Sequence, residues 1–70
     1  MDFEAIGQAC LLVYDTLKDD AESKDLIEKI DFADGDEAIK EGLREAAVRL
    51  DQLNPAVAQE VRKKAKGFAF

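Results

Sequence analysis

Near the start of the chain, apolar side chains recur at alternating steps of three and four: Phe3, Ile6, Cys10, Val13 and Leu17. That spacing holds them on one stripe of a 3.6-residue helix and predicts an amphipathic helix over residues 2–19. Ala5, Ala9, Leu12 and Tyr14 widen the stripe, so the helix is expected to be central to a bundle or shared with a partner. Gly7 costs about 1 kcal/mol of helix propensity relative to alanine and is expected to mark a close helix-helix approach.

The stretch from Lys18 to Asp25 contains one apolar residue and cannot lie in a core. Ser23 suits a helix N-cap, which predicts a break near residues 19–23 and a short helix over 23–31 carrying Leu26, Ile27 and Ile30 inward. The alternative is one continuous helix to Asp31, since no glycine or proline interrupts residues 8–30. Asp34-Gly35 is the clearest turn signal, with Asp34 or Asp36 able to cap the next helix. Ile39, Leu43, Ala46, Leu50 and Leu53 define that helix over 36–53, with Glu45 and Arg49 placed as an i,i+4 pair on its outer side.

Asn54-Pro55 both ends that helix and starts another, because asparagine caps well and proline fits the first helical turn. Val57, Ala58, Val61 and Ala65 carry the last helix over 55–66 to a stop at Gly67, with Phe68 and Phe70 beyond it. No strand pattern or internal repeat is present. The expected fold is all-α, a single domain over 1–70 built as a small three- or four-helix bundle. A chain of this size buries only roughly 60% of its unfolded surface, so homodimerisation through Phe3, Ile6, Cys10, Val13 and Leu17 is expected to complete the core.

Composition narrows the chemistry. There is no histidine and one cysteine, Cys10, among apolar neighbours. A disulfide framework is thereby excluded, and the commonest zinc ligand and general base are missing. No cofactor signature and no metal-ligand spacing is found. Asp31, Asp34, Asp36, Glu37 and Glu41 do not fit a calcium loop: a loop begun at Asp31 would place Asp36 sixth, where glycine is needed, and Gly42 twelfth, where a glutamate is needed. Cys10 and Tyr14 read as packing residues, and the chain is not expected to be an enzyme.

Net charge is -6, which opposes direct nucleic-acid binding, and a helix opening Asp36-Glu37 would aim carboxylates at phosphates. The acidic opening and short apolar runs match neither a signal peptide nor a membrane span, so a cytoplasmic protein is expected. Residues 1–37 carry 12 acidic and 3 basic side chains, residues 38–70 carry 4 and 7. Such halves favour each other within a chain or in an antiparallel pair of chains.

Two surfaces are expected to meet a partner protein. One is the acidic set Asp15, Asp19, Asp20 and Glu22. The other is the aromatic end, Phe68 and Phe70, which either folds back on the core or docks elsewhere. The expected function is that of a small acidic regulatory or inhibitory protein, of the size phages and mobile elements encode, that occludes a site on a host or partner protein. A DNA-mimic inhibitor and an accessory subunit of a larger assembly are the alternatives.

Overall fold

The computed structural model describes residues 2–70, which form α1 (Phe3–Leu17), α2 (Lys24–Asp31), α3 (Asp36–Leu53) and α4 (Pro55–Lys64), with a 3-10 turn, Ala21–Ser23, leading into α2. Among the described residues there is no strand. Asp2 caps α1: its Oδ1 accepts from the N–H groups of Glu4 at 3.1 Å and Ala5 at 3.2 Å, satisfying two donors that a helix start leaves open. α1 ends at Leu17 because Asp20 adopts an extended backbone, φ -94 and ψ 107, in a stretch with little to bury. The continuous helix to Asp31 is not formed.

Two expected caps take other forms. Ser23 precedes α2 but does not cap it through its side chain; it is fully buried, and its hydroxyl donates to the Asp20 carboxylate. At α3 neither Asp34 nor Asp36 is the cap. Gly35 holds that position at φ 105, a backbone only glycine adopts without strain, while Asp36 and Glu37 lie in the first turn, where the helix dipole favours negative charge. The α3–α4 corner agrees with the sequence reading, with Asn54 Oδ1 accepting from the Val57 N–H at 3.3 Å and Pro55 opening α4.

α1 packs against α4 and α3, α3 against α4, and α2 lies on α3. The core joins Ile6, Ala9, Val13 and Leu17 of α1 to Leu43, Ala46 and Leu50 of α3, Ala58 and Val61 of α4, and Ala65, Phe68 and Ala69 beyond it. Val13, Leu17, Leu43, Leu50 and Val61 are fully buried, each stabilising the fold by about 1.5–3 kcal/mol. α2 contributes no fully buried residue; Leu26, Ile27 and Ile30 are half-buried.

This arrangement relocates the expected self-association seam. Ile6, Val13 and Leu17 face the chain's own core, Cys10 is half-buried, and Phe3 is 71% exposed. The physical reason lies in Ala46, Ala58 and Ala65, small core side chains that let α3 and α4 close over α1. Most of the seam is therefore internal packing, not surface offered to a second chain.

The glycine expectation also moves. A Cβ on Gly7 would meet nothing within 4 Å, whereas a Cβ on Gly42 would sit 2.7 Å from Ile30 Cγ1. The close helix-helix approach is between α2 and α3.

Candidate protein-binding face

Arg49 organises the acidic surface from within. Its Nη2 lies 3.0 Å from Asp20 Oδ2 and 3.1 Å from Glu22 Oε2, and its Nη1 donates to Gln52. Ser23 donates to the same Asp20 carboxylate. That hydrogen bond first, and the Arg49 guanidinium after it, hold the Asp20 carboxyl below the usual range. Glu45, expected to pair with Arg49 along α3, instead accepts from Lys29 of α2, with Glu41 also 3.2 Å from that ammonium. These cross-helix bonds tie α2 and its leading turn to α3. Of the acidic set singled out in the sequence, Asp20 and Glu22 are thus engaged within the chain, while Asp15 and Asp19 stay exposed.

The aromatic end folds back. Gly67, at φ 86, reverses the chain, and the N–H groups of Phe68 and Ala69 both donate to the Ala65 carbonyl at 3.0 Å. Arg44 Nε donates to the Ala69 carbonyl at 2.8 Å. Phe68 is buried, with the Lys40 ammonium 5.3 Å from its ring centre. Phe70 remains partly exposed beneath the Arg62 guanidinium, which itself makes a two-pronged contact with Asp51 at 2.6 and 2.7 Å. Of the two phenylalanines, only Phe70 retains surface.

A different apolar surface emerges on α1 and α2. Phe3, Gly7, Leu11 and Tyr14 succeed one another at helical spacing on the side of α1 away from the core, and all are exposed. Phe32, just past α2, is 82% exposed, the most of any large apolar side chain described. Its N–H still donates to the Glu28 carbonyl at 2.9 Å, so it continues the α2 row Lys24-Glu28-Phe32. Exposed apolar side chains clustered like this mark contact surfaces more often than single ones do. Sequence reasoning assigns Phe3 and Tyr14 to the packed stripe and gives Phe32 no role.

Tyr14, Lys18, Asp20, Ala21, Lys24, Ile27 and Glu28 line a shallow cleft of about 360 Å³ where the end of α1 meets the start of α2. Among the described residues neither Lys18 nor Lys24 makes an ion pair with a carboxylate. The rim carries Lys18 and Lys24 beside Asp20 and Glu28, balanced in formal charge around an apolar floor. Past the other end of α2, Asp31 and Asp34 are exposed near Phe32 in the chain.

The reactive-looking groups stay quiet. Burial, and then the negative charge of Asp31, pushes the Cys10 thiol up, which suppresses the nucleophilic thiolate. Among the described residues no three His, Cys, Asp or Glu side chains converge on a metal-sized site, and no buried side-chain polar atom lacks a hydrogen-bond partner. Among them, too, no helix is long and apolar enough to cross a membrane. No protein-family model matches the chain, and comparison with curated proteins and with solved structures gives no match.

Proposed function

We propose that this chain is a small regulatory protein that acts by protein-protein contact, through the outer face of α1 and α2. The observation that carries the reading is the exposed apolar row Phe3, Leu11 and Tyr14 on α1, together with the exposed Phe32 just past α2. It lies next to a cleft whose lysines pair with no carboxylate among the described residues. Val48, Leu53 and Phe70 are also exposed elsewhere, each less so than Phe3 and Phe32. Occlusion of a partner's site, not chemistry on a small substrate, is the mode of action this surface suits. The DNA-mimic alternative loses ground because Arg49 already holds two of its charges, Asp20 and Glu22.

A photo-crosslinking residue at Leu11, compared with one at Gln59 on the exposed side of α4, tests the reading in cells that express the protein. Adducts confined to position 11 are expected. Equal adduct patterns at both positions, or none at either, would remove the support for this face.

A further inference from the structure

Beyond that reading, we infer that α2 and its leading turn form a strap fastened by ion pairs, which opens as one unit while α1, α3 and α4 stay packed. Apart from Ser23, every buried side chain described belongs to α1, α3, α4 or the segment after α4, and α2 supplies none. Lifting α2 therefore gives up the packing of the half-buried Ile27 and Ile30 against the core, and leaves the contacts among Leu17, Leu43, Leu50 and Val61 in place. A helix of eight residues does not persist alone in water, so opening also unwinds it.

Two cations of opposite origin do the fastening. Lys29 of α2 sits between Glu41 and Glu45 of α3, and Arg49 of α3 sits between Asp20 and Glu22 at the leading turn. Glu22, Glu41 and Glu45 are largely exposed, so each pair is weak by itself. Lys24, Asp25, Glu28 and Asp31, the other charges of α2, make no ion pair among the described residues. In the cleft Lys18 and Lys24 stand against Asp20 and Glu28 with no net charge. The strap is bounded by the extended backbone of Asp20 and by Gly35, at φ 105 with open space around it. Beneath it, Ile30 lies on Gly42, a position with no side chain of its own, and the charge of Asp31 reaches Cys10. Opening uncovers Gly42 and Cys10 and removes the Ile27 wall of the cleft, while the α1 row Phe3, Leu11 and Tyr14 stays in place.

Amide hydrogen exchange, followed residue by residue by NMR on the intact chain, tests this. The amides of residues 28–32 are expected to exchange together, about 10-fold or more faster than those in the middle of α1, α3 and α4. Lys29→Met should speed them by a further factor of about 3 to 10 and leave the other three helices at wild-type rates. The reversed set K29E/E41K/E45K restores opposite charges across the contact and should return residues 28–32 close to the wild-type rate, which a change in helix propensity alone does not do. Exchange of residues 28–32 in step with the other helices overturns the proposal. So does a Lys29→Met chain in which α2 is unaffected or all four helices speed up alike, or a reversed set that exchanges like Lys29→Met. None of these readings depends on a partner, so the Leu11 crosslinking result is judged separately.

Discussion

The two sides of this molecule treat their apolar residues in opposite ways. Between α1, α3 and α4, Leu17, Leu43, Leu50, Val13 and Val61 are fully buried, and the rim is closed by Arg62 on Asp51 and Arg44 on the Ala69 carbonyl. On the outer face of α1 and α2, Phe3, Leu11, Tyr14 and Phe32 remain exposed, and α2 is held to α3 mainly by ion pairs and half-buried isoleucines. One side buries its apolar surface in the core, and the other leaves it exposed.

Substitutions at matched positions can break this contrast. Leu50→Ala should cost about 2–5 kcal/mol in urea unfolding, as for other fully buried leucines, whereas Leu11→Ala should stay within about 0.5 kcal/mol for the monomer. A large loss from Leu11→Ala, measured where the chain is monomeric, would place Leu11 in the core and dissolve the distinction.

The helix-interior glycines sharpen it. Gly42→Ala drives a methyl group into Ile30 and should lower stability by about 1–3 kcal/mol despite its better helix propensity. Gly7→Ala meets open space and should raise stability by about 0.5–1 kcal/mol. The same two melts check both signs; matching signs would mean that α2 does not sit against α3 as described.

The smallest expected effect is electrostatic. Asp20 is held below the usual carboxylate range by Ser23 and Arg49, so its contribution is present above the unfolded value near 4 and is lost as pH falls through the lowered folded value. Acid unfolding of Asp20→Asn should accordingly show a shallower loss of stability below about pH 4 than wild type. An identical acid profile would show that the Asp20-Ser23-Arg49 cluster does not anchor the turn before α2.

Sequence periodicity showed which faces of α1 and α3 are apolar, because steps of three and four survive without knowledge of any neighbour. It did not show how much of each face would be covered. Phe3 and Ile6 look alike along the chain, yet one is 71% exposed and the other is buried; only the approach of α3 and α4 separates them. Cross-helix ion pairing was equally hidden, since Glu45 and Arg49 have local spacing suited to each other and take partners on other segments instead. Phe32 could have been noticed as an aromatic residue set among aspartates outside any periodic run.

What the sequence determined by itself is local: three or four helical segments, the Asn54-Pro55 corner, the Gly35 turn and the lack of histidine chemistry. These depend on backbone propensity, capping and residue identity, which act over a few neighbouring positions. The tertiary structure alone decided that most of the first seam is core, that Phe68 folds inward, and that Phe3, Leu11, Tyr14 and Phe32 stay exposed. Burial and charge pairing arise from residues distant in the chain, so they exist only once the helices have packed.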